Sequence, residues 1–292
     1  MSIDTLNTTN HDRDSANLRY VYAVISRRAG GVSVGINLNP NNACNWRCIY
    51  CQVPELTRGT APPIDLVMLE NELRNFLHEL LHGDFMQTRV PEGSRRINDI
   101  ALSGNGEPTS ATEFVQVIEI IARVRNEMPL RPSSGQALSV DLKTVLITNG
   151  SLLFRSTVQQ GLRNLALLNG QVWFKLDRAS SVGMMHINDT HTNMNKVRDN
   201  LIASITNCPT WLQTCWFAID GEPPTLQDEN DFLEFISTLL RDNYKPQGVL
   251  LYSLARPSLQ AEAPRLSALP EGHLQAFADR IAQLGLPVKV NP

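Results

Sequence analysis

Three cysteines fall within eight positions, as Cys44-Asn-Trp-Arg-Cys48-Ile-Tyr-Cys51. Spacings of four and three bring three soft thiolates close enough to converge on one iron-sulfur cube, whose fourth iron would then carry no protein thiolate. An iron left open in that way can bind a substrate or cosubstrate directly. Pro40, Asn41 and Asn42 ahead of the first cysteine are loop formers, so the ligands belong on a loop. The same residues allow two other readings: a zinc site, or three small apolar side chains on one helical face. The nearest histidines, His78 and His82, lie inside an amphipathic pattern.

A second loop follows one strand later, as Gly104-Asn105-Gly106-Glu107-Pro108-Thr109. Its glycines admit close backbone approach and Glu107 offers a carboxylate to a cation, although a strand-to-helix turn of this composition is equally a structural device. Thr148 and Asn149 close another strand with side chains able to bond ribose or carboxylate oxygens, or simply to cap the turn. Lys175 and Asp177 flank Leu176, so both point the same way at a strand end, into the mouth of the fold or into a buried ion pair. Gln213 and Arg256 also stand at or near strand ends, and Arg256 suits a carboxylate, a phosphate or a surface salt bridge. Cys208 and Cys215 are too few for a second cluster and read as core packing.

The elements that must position these loops alternate. GVSVGINLNP reads as a strand running into the cysteine loop, and residues 65–82 carry helical spacing with Asp65 as N-cap. Strand 97–103, helix 112–127, strand 143–149 and helix 156–168 follow. Three further units complete the chain: VWFKL with a helix within 193–204, WLQTCWFAI with NDFLEFISTLLRD, and GVLLYSL with GHLQAFADRIAQL. Six β/α units predict a parallel sheet under helices; six are too few to close an eight-stranded barrel, so a partial (β/α)6 TIM-like barrel fits better than a closed one, and a doubly wound open sheet shows the same alternation. In both, ligands bind at the carboxyl ends of the strands.

At 292 residues with 42% hydrophobic and 19% charged residues, the chain predicts one domain over residues 18–292 behind a solvated tail of residues 1–17. The formal charge of −3 gives no global basic field for nucleic acid, although Arg27, Arg28, Arg47 and Arg58 cluster in sequence around the site. The polar N-terminus is unlike a signal peptide, no run approaches a membrane span, and the expected compartment is the cytoplasm.

The CxxxCxxC loop and the GNGEP turn together resemble the radical S-adenosylmethionine (SAM) superfamily, with Asn105 interrupting the usual glycine pair. SRRAGGVSVGINLNP, ITNGSLL, WFKLD, LQTCWF and YSLARPS extend the similarity to the radical SAM domain of the wyosine (tRNA) synthases, over about residues 20–290. The resemblance implies that Cys44, Cys48 and Cys51 hold a 4Fe-4S cluster, that SAM chelates its open iron, and that Gly104, Asn105, Gly106 and Glu107 receive the SAM amino group. It implies Tyr50 against the adenine; from their places at strand ends, Thr148 and Asn149 are expected as further cofactor contacts, and Lys175 and Asp177 as catalytic residues in contact with substrate or SAM. Reductive cleavage would generate a 5'-deoxyadenosyl radical that modifies a tRNA base, peptide or small molecule. The flavodoxin-like domain of the eukaryotic relatives is absent, which implies a separate flavodoxin or ferredoxin as electron donor. The competing reading is a non-catalytic iron-sulfur or zinc protein that senses redox state or acts as a scaffold.

Overall fold

Apolar runs bounded by Gly, Pro or Asn become strands, and runs with one apolar stripe become helices laid over them. The computed structural model describes residues 5–7, 16–26, 30–127 and 137–292. Eight strands form one sheet: β1 (Val21–Ser26), β2 (Gly31–Ile36), β3 (Arg96–Leu102), β4 (Ala137–Thr148), β5 (Gly170–Lys175), β6 (Thr210–Cys215), β7 (Gly248–Tyr252) and β8 (Val288–Asn291). Their order across the sheet is their order along the chain. β1 pairs antiparallel with β2, and the remaining neighbours are parallel. A doubly wound sheet reverses strand order at a switch point, whereas this one does not, so it curls into the partial barrel.

Besides a five-residue helix at Phe85–Arg89, the helices among the described residues are α1 (Leu66–His82), α2 (Phe114–Glu127), α3 (Ser156–Ala166), α4 (Ser181–Asn188), α5 (Met194–Asn207), α6 (Leu226–Arg241) and α7 (Glu271–Ala282). Each strand from β2 to β7 is therefore followed by helix, which gives the six units expected from sequence. Three elements add to them. β1 is held by antiparallel register with β2, Val21 opposite Ile36 and Ser26 opposite Gly31. β8 is short, and α4 is one two-turn helix without an apolar stripe; local pattern marks neither. Asp65 caps α1 as expected, its carboxylate accepting from the Met68 N–H at 2.9 Å. α6 begins earlier than its sequence pattern suggested, because Thr225 and Asp228 form a reciprocal capping box.

β2 is buried at all six positions although its sequence alternates, because helices cover one face and the lumen closes on the other. Under α6 and α7 the core turns aromatic. Trp216 lies 4.1 Å from Phe277 and 6.2 Å from Phe232, centroid to centroid, and Phe232 lies 5.6 Å from Phe277. From the segment 1–17, Leu6 is buried and donates its N–H to the Arg89 carbonyl at 2.8 Å. Residues 1–4 and 8–15, and with them Arg27 and Arg28, lie outside the described residues. Among the described residues no helix is long and apolar enough to cross a membrane.

Phe232 is fully buried between two aromatic partners. Phe232→Ala is expected to lower stability by about 3–5 kcal/mol in chemical denaturation, through lost transfer energy and the cavity left behind.

Candidate active site

The cysteine loop leaves the carboxyl end of β2 and is braced by segments remote in sequence. On either side of Cys48, the Arg47 N–H donates to the Asn188 carbonyl at 3.2 Å and the Ile49 N–H to that of Ile187 at 2.9 Å. The loop after β7 holds the other flank: the Leu259 N–H donates to the Cys51 carbonyl, Ser258 Oγ to the Ile49 carbonyl at 2.8 Å, and Gln260 Nε2 to that of Val53 at 3.0 Å.

The thiols of Cys44, Cys48 and Cys51 line a single cavity of about 260 Å³ at the strand ends. Gly104, Asn105, Gly106, Glu107, Thr148, Asn149, Lys175 and Gln213 line the same cavity. Burial is the main cause that pushes the Cys44 thiol up to about 12 and the Cys48 thiol up to about 11. Among the described residues, no three His, Cys, Asp or Glu side chains are gathered as ligands of one metal ion. A cubane takes its thiolates on separate corners, so three thiols spread around a common cavity fit a cluster. His78 and His82 stack on each other on exposed positions of α1, away from the cavity.

The GNGEP turn packs directly on the cysteine loop. A Cβ at Gly106 would lie 2.1 Å from the Ala43 carbonyl oxygen, so only glycine permits this approach. Asn105 Nδ2 donates to Asn42 Oδ1 at 2.6 Å, and the Asn105 N–H donates to Asn37 Oδ1 at 3.0 Å. The residue that breaks the glycine pair therefore stitches the two loops together.

Glu107 is buried without a cation beside it. Its Oε1 accepts from the Thr109 N–H at 3.1 Å, from Thr109 Oγ1 at 2.6 Å and from Thr148 Oγ1 at 2.6 Å; its Oε2 accepts from the Asn149 N–H at 2.6 Å. Burial lifts its carboxyl above the ordinary value of 4.5, against the opposing pull of those donors. Asn149 continues the network, giving Nδ2 to Asn45 Oδ1 at 2.8 Å, while Asn45 Nδ2 donates to Ser151 Oγ at 2.7 Å.

Lys175 and Asp177 go to different places. Lys175 faces the cavity, with Nζ 4.0 Å from Cys48 Sγ and 4.4 Å from the Tyr50 ring centroid. Burial alone would lower its pKa, yet Cys48, Asp177, Tyr252 and Cys51 outweigh that and hold it well above the ordinary lysine value. Asp177 is fully buried beneath the cysteine loop. It accepts from Tyr50 Oη at 2.6 Å, Asn188 Nδ2 at 2.7 Å and the Cys215 N–H at 2.9 Å. Asn188 Nδ2 also reaches Cys48 Sγ at 3.3 Å, while Asn188 Oδ1 is buried without a donor, at a cost of about 1–3 kcal/mol. The Tyr50 ring packs on Phe217 at 5.2 Å.

Gln213 lies beside Lys175 in register, 3% exposed, with Oε1 buried and lacking a partner. Arg256 lines an adjoining cavity with Tyr50, Cys51, Lys175 and Tyr252. Arg47 is paired with Glu262 at 2.9 Å and Arg58 with Asp189 at 2.8 Å. Cys208 and Cys215 are buried in the hydrophobic core.

Asn188, Ser258, Gln260, Asn37 and Asn45 escaped the sequence reading. The asparagines of INLNPNNACN could have been found by asking what a polar run ahead of buried thiols must bond. Asn188, Ser258 and Gln260 carry no local signal for this site, because the cysteine loop they bond is more than a hundred residues away.

No protein-family model matches the chain. It is 23% identical over 253 residues to a UPF0026 protein of Helicobacter pylori strain J99, covering 86% of this chain and 71% of that one. Among solved structures, SuiB of Streptococcus suis bound to its precursor peptide SuiA aligns with a TM-score of 0.55 at 10% identity, over 90% of this chain and 48% of SuiB. SuiB bound to S-adenosylmethionine gives 0.52 at 10% identity, over 90% and 47%. A radical SAM methyltransferase from Sphaerobacter thermophilus gives 0.50 at 13% identity, over 93% and 68%. The chain thus spans about half the length of SuiB. These likenesses show the fold, the partial barrel of the radical SAM enzymes.

Glu107→Gln would set an amide N–H₂ against a backbone N–H whichever way the side chain turns, that of Thr109 at Oε1 or that of Asn149 at Oε2. It is expected to lower stability by about 1–3 kcal/mol, read as a fall in the denaturation midpoint, whereas an unchanged midpoint would show that the carboxylate does not tie the loops.

Proposed function

We propose that this chain is a radical SAM enzyme that holds a 4Fe-4S cluster on Cys44, Cys48 and Cys51 and binds S-adenosylmethionine against the turn Gly104–Glu107. The observation that carries the reading is the shared cavity: three thiols, that turn and the Lys175 ammonium meet at the strand ends of a partial barrel. SuiB, which has this fold, binds S-adenosylmethionine.

The residues divide the work by their free valences. Glu107 Oε1 is saturated by three donors, while Oε2 has one and keeps capacity for the ammonium of SAM. The backbone of Gly104, Asn105 and Gly106 supplies further acceptors. Thr148 and Asn149 act chiefly by orienting Glu107. Lys175 offers its charge to a carboxylate or to the thiolates themselves, and Tyr50 carries that ammonium on its ring face. Cys44, Cys48 and Cys51 would hold the cluster, which would supply one-electron reducing chemistry for reductive cleavage of S-adenosylmethionine and radical hydrogen abstraction.

The substrate enters the lumen past Trp173, Gln213 and Tyr252, a space suited to a small molecule, a peptide side chain or a single base. The sequence resemblance to the wyosine synthase domain is our ground for counting a tRNA base in that set. Arg47 and Arg58 spend their charge on Glu262 and Asp189, which leaves less of it for a phosphate backbone. A flavodoxin or ferredoxin is the one-electron donor, and five free cysteines suit a reducing cytoplasm.

Anaerobic reconstitution is expected to load about four irons per chain. Reduction with dithionite in the presence of S-adenosylmethionine should then yield 5'-deoxyadenosine, with at least a hundredfold loss in Cys48→Ala. A wild-type protein that carries the cluster yet releases no 5'-deoxyadenosine would sink the proposal in favour of a redox sensor.

A further inference from the structure

We infer that Asn188 sets the reduction potential of the group held through Cys48, with Asp177 and Tyr50 fixing its orientation; the inference rests on the cluster reading above. A carboxylate can only accept, so Asp177 Oδ2, 2.7 Å from Asn188 Nδ2, decides which end of the amide faces it. The same Nδ2 reaches Cys48 Sγ at 3.3 Å, one N–H to each partner. Asn188 Oδ1 is thereby left buried without a donor. Packing alone would not select this arrangement, since an apolar side chain at the end of α4 would fill the space and orphan nothing.

The amide is also immobile. Asn188 and Asp177 are both 0% exposed, and Asp177 is fixed in turn by Tyr50 Oη at 2.6 Å and the Cys215 N–H at 2.9 Å. Backbone bonds from Arg47 and Ile49 to Asn188 and Ile187 lock the register of Cys48 against the same helix end. Cys48 takes donors from two side chains, Asn188 and Lys175, whereas Cys44 meets the backbone N–H of Trp46. An N–H directed at a thiolate sulfur stabilises negative charge there. A reduced cluster carries one more electron than an oxidised one, so the bond favours reduction and raises the potential. Asn188 thus acts through Cys48 as a positioning residue whose effect is electronic.

The test compares wild-type protein with Asn188→Ala and Asn188→Leu after anaerobic reconstitution. Iron is counted per chain, and the midpoint is read by potentiometric titration followed by electron paramagnetic resonance. Both variants are expected to keep about four irons and to show a roughly tenfold weaker reduction equilibrium, about 59 mV lower for one electron. Tyr50→Phe, which frees one lone pair of Asp177 without touching Asn188, is expected to shift the midpoint in the same direction by less. Full iron with an unchanged midpoint in the Asn188 variants overturns the inference. Should neither variant load iron, Tyr50→Phe decides: a lowered midpoint supports the role and an unchanged one overturns it. Failure of the wild-type protein itself to take up a cluster would strike the proposed function, and it would be seen before any variant is measured.

Discussion

Glu107 is a buried carboxylate with four donors and no cation beside it, and the mouth of the barrel is arranged to keep it satisfied. Two of those donors belong to Thr109 on its own turn, and two come from Thr148 and Asn149 at the end of β4. One side chain therefore locks the ends of two neighbouring strands. Asn149 passes the constraint to Asn45 in the cysteine loop, and Gly106 lets the same turn rest against Ala43. Beyond the two-residue pairing of Ala43–Cys44 with Thr57–Arg58, the cysteine loop and the Gly104–Glu107 turn are held by polar groups that satisfy one another.

A second network lies below the cysteines and is built on Asp177. Both carboxylates are buried, but Glu107 lines the cavity and Asp177 does not. The two carboxylates have separate tasks: one leaves an oxygen with spare capacity at the cavity, and the other spends its oxygens on Tyr50, Asn188 and Cys215. Lys175, two residues from Asp177, stands over the Tyr50 ring and reaches toward Cys48, while Asp177 takes the Tyr50 hydroxyl. Strand alternation alone would have pointed Lys175 and Asp177 together; the chain leaves β5 after Lys175, and the alternation ends there.

The reach of sequence reasoning follows from this division. The six β/α units, the cap at Asp65, the loop placement of the cysteines and the turn at Gly104–Glu107 were legible because each is written in adjacent residues. The choice between a barrel and a doubly wound sheet was not, since it depends on strand order in space. The same holds for α4, whose eight residues show no periodic stripe, and for Asn188, Ser258 and Gln260, which bond to the cysteine loop across long stretches of chain. Asn105 was read as a departure from a motif, and its side chain turns out to join the two loops through Asn42.

β1 and β8 stand at the two edges of the sheet. A barrel that closes on itself has its radius fixed by strand number and shear, because the last ladder must meet the first. An unclosed sheet carries no such condition. Its edges can draw apart or together like the jaws of a clip, changing the bore while each existing strand pairing stays intact. The bore beside Gln213 and Tyr252 is thus set by the bend of the sheet, with no closing ladder to fix it.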